Sequence, residues 1–207
     1  MDDLTVVYYS ASQERASFEQ CIVRQLLEDI GDCPLISVTQ KPLECGQNIC
    51  VGEIGVRPEN AIRQALLGVQ EAATQYVALA ESDCLHGPEY FRFRPASEDV
   101  WCCPGSGYVT WVKRMRFWPK RMQELVGITS RDHAIRVLTA VRDASPGHVS
   151  DEIRRQTKYF HFNTRQQPVI TIKTRQQMHW ATPHGSEGVG ELPGWGTAES
   201  IWRRVGL

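Results

Sequence analysis

Short apolar blocks alternate with stretches of helical periodicity along the first part of the chain. Leu4 to Tyr9 reads LTVVYY, an apolar, β-branched and aromatic run that predicts a buried strand. A polar loop, Ser10–Gln13, follows. Phe18, Cys21, Ile22, Gln25, Leu26 and Ile30 then recur at helical spacing, with Gly31 as the stop. Pro34 to Val38 (PLISV) predicts a second strand, so the chain opens strand, helix, strand, the start of a parallel α/β sheet.

Residues 40–58 contain Pro42, Gly46, Gly52, Gly55 and Pro58 and predict a long loop, a length that often carries function in compact domains. Asn60 to Ala73 predicts a helix with Ile62, Leu66, Leu67, Val69 and Ala73 at its apolar positions, and Glu59 near its positive end. Tyr76 to Ala80 (YVALA) predicts a third buried strand, and Glu81-Ser82-Asp83 follows it directly. Further on, Tyr108–Val112 and Val169–Ile172 read as strands, and Asp132–Val141 and Ala198–Val205 as helices. The pattern predicts one α/β domain over 1–207, with helices flanking a central mixed, mostly parallel sheet of about six to eight strands.

Composition narrows the class. With 42% apolar and 23% charged residues the chain is neither disordered nor membrane-spanning; no apolar run approaches the roughly 20 residues a span needs. The acidic opening Met1-Asp2-Asp3-Leu4 does not resemble a signal peptide, and seven cysteines, an odd number, read as reduced thiols of a cytoplasm-like compartment. Neither the Cys45/Cys50 spacing nor the adjacent Cys102 and Cys103 makes a zinc knuckle. The net charge of −1 hides an asymmetry: residues 1–100 carry 7 Lys+Arg against 16 Asp+Glu, while 101–165 carry 12 against 5. A basic segment in a nearly neutral chain is either a contact surface for a polyanion or the partner of the acidic half.

Ligands of open α/β sheets bind beyond the carboxyl ends of the strands. Ser10–Gln13, the 40–58 loop and Glu81–Asp83 all fall there. Two acids one residue apart at a strand exit put hard oxygen ligands near one point, the donor set that Mg²⁺ or Mn²⁺ shares with a diphosphate. The plainer alternative is a solvated polar strand end.

The surrounding residues sharpen this. Asn60-x-x-Arg63-Gln64-x-x-x-Gly68-x-x-x-Ala72, then Tyr76–Asp83, then Pro88-x-Tyr90-Phe91, resembles the nucleotide-sugar core of GT-A glycosyltransferases. The VVYYS opening, Ile36–Pro42, Gly46–Gly52, Ile172-Lys173-Thr174 and Leu192-Pro193-Gly194-Trp195-Gly196 resemble small phage-encoded members of that group. The resemblance is firm over 4–94, thin over 95–165 and moderate over 166–205. It implies a single GT-A-like, Rossmann-like domain, with a nucleotide-sugar-binding half (1–94) and an acceptor-binding half (95–207). It implies a nucleotide-sugar donor, UDP-linked by family frequency, held with Mn²⁺ or Mg²⁺ by Glu81 and Asp83, with Arg63 on the donor side. Glu81 stands where the family's first Asp is usual, so the metal geometry shifts or Asp83 becomes the principal ligand. His184 is the candidate third metal ligand, with His179 second. Ser10 and Asn48 are donor-side candidates by loop position alone, and Trp195 and Gly196 pack the tail back toward the site.

Such an enzyme displaces a nucleoside diphosphate at the anomeric carbon, and an inverting one needs a carboxylate within reach of the acceptor hydroxyl. Asp132 is the candidate base; capping of its own helix is the alternative. Lys113, Arg114, Arg116, Trp118, Lys120 and Arg121 interleave bases with aromatics, as do Arg154, Arg155, Lys158, Tyr159 and Phe160. Cations meet phosphates and aromatics stack on bases; taken with the resemblance to phage glycosyltransferases, this implies double-stranded DNA carrying 5-hydroxymethylcytosine or a related hydroxymethylpyrimidine as acceptor, in the cytoplasm of a phage-infected host. The alternatives are a polysaccharide, lipid or protein acceptor, and a non-catalytic nucleotide- or nucleic-acid-binding module.

Overall fold

The computed structural model describes residues 3–111, 114–120, 125–144, 149–174 and 187–207. The elements run β1 (Leu4–Ser10), α1 (Ala16–Ile30), β2 (Leu35–Thr39), β3 (Gln47–Cys50), α2 (Pro58–Glu71), β4 (Tyr76–Glu81), β5 (Cys84–Leu85), α3 (Pro88–Arg92), β6 (Val100–Pro104), β7 (Gly107–Trp111) and β8 (Arg114–Pro119). They continue β9 (Ile128–Ser130), α4 (Arg131–Asp143), α5 (Val149–Gln156), β10 (Lys158–Phe162), β11 (Val169–Lys173), β12 (Glu191–Leu192), β13 (Gly196–Thr197) and α6 (Ala198–Arg204). No described helix is long and apolar enough to cross a membrane.

A seven-stranded sheet in the order β10-β6-β9-β4-β1-β2-β3 forms the centre. Only β9 runs against its neighbours, pairing antiparallel with both β4 and β6. The mixed, mostly parallel sheet read from the sequence is therefore present. Both faces of its middle are covered: along β1, Leu4, Val6 and Tyr8 pack with Phe18, Ile22 and Leu26 of α1, while Val7 and Tyr9 pack with Ile62 and Leu66 of α2. Burial on both faces is why β1, β2 and β4 read as unbroken apolar runs rather than alternating ones.

A second, four-stranded sheet, β5-β11-β7-β8, joins the segment after β4 to the second half of the chain. The sequence pattern did not announce it. Within the 40–58 loop, β3 adds a parallel edge strand; its residues Gln47, Asn48, Ile49 and Cys50 are all partly or fully exposed, so they lack an apolar signature. The basic run after Trp111 continues as β8, antiparallel to β7. α4 begins at Arg131, and its cap is Ser130, whose side chain accepts from the His133 backbone N–H. Asp132 sits in the first turn and is not the cap.

Gly68 lets α2 lie directly on the sheet: a Cβ there would stand 2.4 Å from Cγ1 of Val7 and 3.2 Å from Cγ2 of Val38. Gly68→Ala is expected to destabilise the protein by about 1–3 kcal/mol through overpacking, more than the ~1 kcal/mol of helix propensity it gains. Urea unfolding checks this, and adding Val7→Ala to make room should restore part of the loss.

Candidate functional site

The carboxyl ends of β1, β2 and β4 meet along one edge of the central sheet, where parallel register sets Tyr9 beside Glu81 and Ser10 beside Thr39. Gln64, buried on α2, donates through Nε2 to the carbonyls of Ser10 (2.8 Å) and Val38 (2.9 Å) and so ties the two strand ends together. The 40–58 loop is braced over this edge. Gln40 Oε1 accepts from the N–H groups of Ile54 and Gly55, and Asn60 Nδ2 donates to the carbonyls of the same two residues.

At the exit of β4 the chain turns through Glu81-Ser82-Asp83 into β5, which pairs antiparallel with β11. The Ile172 N–H donates to the Asp83 carbonyl at 2.7 Å, and this register delivers Lys173 to the acid pair. Lys173 Nζ donates to Asp83 Oδ2 at 2.7 Å, with both side chains about nine-tenths buried. Lys120, just past β8, donates from Nζ to Thr171 Oγ1 at 3.0 Å. Burial raises the Asp83 carboxyl, but the Lys173 and Lys120 ammonium groups outweigh it and hold Asp83 below the ordinary carboxylate value. For Lys173, burial works against the charged form, and Asp83 more than restores it.

Tyr9 donates from its hydroxyl to Glu81 Oε1 at 3.1 Å. The Cys84 thiol lies 3.6 Å from Glu81 Oε2, 3.4 Å from Asp83 Oδ1 and 3.4 Å from Thr171 Oγ1. Burial, then the charges of Asp83 and Glu81, push this thiol well above its ordinary value, so it remains a neutral S–H.

Ligand atoms of Glu81, Asp83 and Cys84 lie within 4.8 Å of one another, so the geometry gathers a possible cation shell. The chemistry fits Mg²⁺ or Mn²⁺ poorly. The third donor is a protonated sulfur, where hard cations take oxygen, and one oxygen of Asp83 already accepts from an ammonium group. His184 and His179, expected to complete the shell, lie outside the described residues.

The other sequence candidates separate. Ser10 is buried, and its Oγ accepts from the Ser12 N–H, so it shapes the turn after β1. Asn48, a candidate by loop position, is engaged within the loop. Its Nδ2 donates to Ser37 and Thr39 and its Oδ1 accepts from the Leu43 N–H, so the amide is occupied inside the loop. Arg63 is exposed on α2, one residue before Gln64. Trp195 is buried and donates from Nε1 to the Pro168 carbonyl at 2.7 Å, anchoring the tail to the approach of β11, and Gly196 takes a φ of +77°.

Asp132, the candidate base, stands apart from the acid pair. Its helix starts beside Tyr76, at the amino end of β4, because Ser130 pairs with Tyr76. Glu81 lies five residues further along that strand, about 17 Å away at roughly 3.4 Å per residue. Several of the basic residues make local contacts. Arg116 donates to the Gly188 carbonyl, Lys120 turns inward to Thr171, and Arg155 pairs with Glu152 on α5, as Arg154 lies on the same helix. Arg114 stacks over Trp111 and Trp118, its guanidinium 5.3 and 5.4 Å from the ring centres. Lys113 and Arg121 lie outside the described residues. The cationic groups that reach the acid pair, Lys173 and Lys120, carried no donor-side signal in the sequence.

No protein-family model matches the chain, and no curated protein sequence matches it. Among solved structures, the chain is similar to a glycosyltransferase involved in the glycosylation of the major capsid of PBCV-1, with a TM-score of 0.50 at 10% identity over 81% of this chain and 92% of that one. It is also similar to residues 1–349 of S. aureus TarS, with a TM-score of 0.50 at 9% identity over 83% of this chain and 60% of that one. At these identities the likeness establishes the fold: the chain is built as a glycosyltransferase-like α/β domain.

Beneath the acid pair, His86 is buried with its ring centre 4.9 Å from that of Tyr90, and its Nε2 has no hydrogen-bond partner among the described residues. Burial, partly opposed by the Asp83 charge, lowers its pKa to about 3. Below the unfolded value of ~6.5 the unfolded chain binds a proton that the folded one refuses, so stability falls as pH falls from there toward 3. Between pH 7.5 and 5 the loss from this group is about 2 kcal/mol. Urea unfolding of wild type and His86→Leu at both pH values checks it: the variant should lack that part of the loss.

Proposed function

We propose that the protein is a glycosyltransferase that moves a sugar from a nucleotide-sugar donor seated at the carboxyl edge of the central sheet. One observation carries this reading. In a glycosyltransferase-like fold, Glu81 and Asp83 leave the buried strand β4 at the edge where β1 and β2 also end. Arg63, exposed on α2 one residue before the Gln64 that binds that edge, is the residue this reading assigns to a donor phosphate.

For the acceptor we propose 5-hydroxymethylcytosine in duplex DNA, whose hydroxyl offers a nucleophile that an unmodified base lacks. The basic excess of residues 101–165 and the Arg114–Trp111–Trp118 stack support it. A protein acceptor is the second reading. It is favoured by the inward turn of Lys120 to Thr171 and by the contact of Arg116 with the Gly188 carbonyl, which engage two cations of the basic run locally. The PBCV-1 neighbour, involved in capsid glycosylation, points the same way.

The test is transfer from a panel of nucleotide sugars, with and without Mn²⁺, onto duplex DNA containing 5-hydroxymethylcytosine, read by nucleoside mass spectrometry. A sugar-mass adduct is expected, reduced roughly a hundredfold or more in Asp83→Asn. Donor hydrolysis that depends on Asp83, with no DNA adduct, would move the acceptor to a protein or glycan. Neither transfer nor hydrolysis from any donor would overturn the glycosyltransferase reading.

A further inference from the structure

We infer that Lys173 and Lys120 supply the positive charge for the donor diphosphate, in the place a divalent cation was expected to fill. This rests on the glycosyltransferase reading and deepens it by assigning the groups that meet the leaving nucleoside diphosphate.

The local charges carry the inference. Glu81 and Asp83 form an acid pair of the kind that calls for a doubly charged cation beside it. Here two ammonium groups converge on them from the second sheet: Lys173 from the end of β11, 2.7 Å from Asp83 Oδ2, and Lys120 on Thr171 Oγ1, 3.0 Å away. Thr171 stands opposite Cys84, the residue after Asp83, in the β5–β11 pairing, so both lysines are tied to the short strand that follows the acids. Two lysines balance two carboxylates as one divalent ion would, and they come from the chain itself rather than from solution.

The remaining chemistry agrees. An ammonium group has three N–H donors, and Lys173 directs one at Asp83, leaving donors for phosphate oxygens. One of the two Asp83 oxygens, Oδ2, already accepts from Lys173. The third neighbour, Cys84, offers sulfur, which suits neither Mg²⁺ nor Mn²⁺. In the transfer, the bond between the anomeric carbon and the diphosphate oxygen breaks while the acceptor oxygen bonds to that carbon. The electron pair leaves on the diphosphate, where the lysines stabilise it, and the acceptor proton goes to solvent or a base.

Calorimetric titration of the full chain with UDP, GDP, ADP, CDP and dTDP tests this, each in EDTA and in Mn²⁺. At least one nucleoside diphosphate should bind in EDTA within about twofold of its affinity in Mn²⁺. Lys173→Ala should weaken that binding by about tenfold or more, the loss expected for one charge-assisted contact. Lys173→Arg, which keeps the charge and guards against misfolding of the alanine variant, should restore most of it, and Lys120→Met should weaken binding with the Lys173–Asp83 pair intact. Binding that appears only with Mn²⁺ would overturn the inference and leave the glycosyltransferase reading standing. So would Lys173→Ala and Lys120→Met binding as tightly as wild type in EDTA. Absence of binding by every nucleotide in both conditions would overturn both.

Discussion

A strand buried on both faces can show polar chemistry only at its ends, and this constraint organises the molecule. Every residue of β1 is buried, and the middle of β4 is equally enclosed between α1 on one side and α2 with α4 on the other. Parallel pairing then brings the carboxyl ends of β1, β2 and β4 to one edge, where the turn Ser10–Ser12, the braced 40–58 loop and the acid pair collect. The site is a consequence of how the core is closed: a polar group within these strands, such as Ser37 on the Cys45 carbonyl, needs a partner inside the protein to replace water.

Placing ionised groups at that edge has its own cost. Taking a carboxylate and an ammonium group out of water costs several kcal/mol per ion unless each finds a well-aligned partner. The second sheet supplies the partners. β11 enters beside Asp83 through a backbone hydrogen bond, and its last residue, Lys173, closes the ion pair. Cys84 and Thr171 fill the space between the acids with weakly polar groups that accept or donate without adding charge. A pair of this kind contributes little net stability, but losing either partner leaves a buried unpaired charge, so the arrangement is held in a single geometry.

The periphery follows looser rules. β8 carries Arg114, Arg116 and the exposed Met115 on one short strand; Arg114 lies over two tryptophan rings, Arg116 donates to the Gly188 carbonyl and Lys120, just beyond the strand, donates to Thr171. A run of bases in sequence thus becomes several local attachments. Asp132 is a similar case, since its place at the start of α4 suits the positive end of a helix dipole but puts it at the far end of β4 from the acids.

How much was legible depended on the range of the determining contacts. The strands β1, β2 and β4 declared themselves as apolar runs, and α1 and α2 by period, with Gly31 marking the end of α1, while the start read at Asn60 falls two residues inside α2. The exit of β4 at Glu81 and Asp83 was readable because strand ends are where ligands meet such sheets. β3 was not, because an edge strand with exposed polar residues has no apolar signature, and Lys173 was not, because a lysine closing a strand is ordinary until its partner is known. That partner lies 90 residues earlier in the chain. The sequence by itself determined which segments must be buried and where the acids leave the sheet, since burial and periodicity are local properties of the chain. Only the tertiary structure decided which charges stand beside those acids, because an ion pair between two sheets is set by long-range register that no local pattern records.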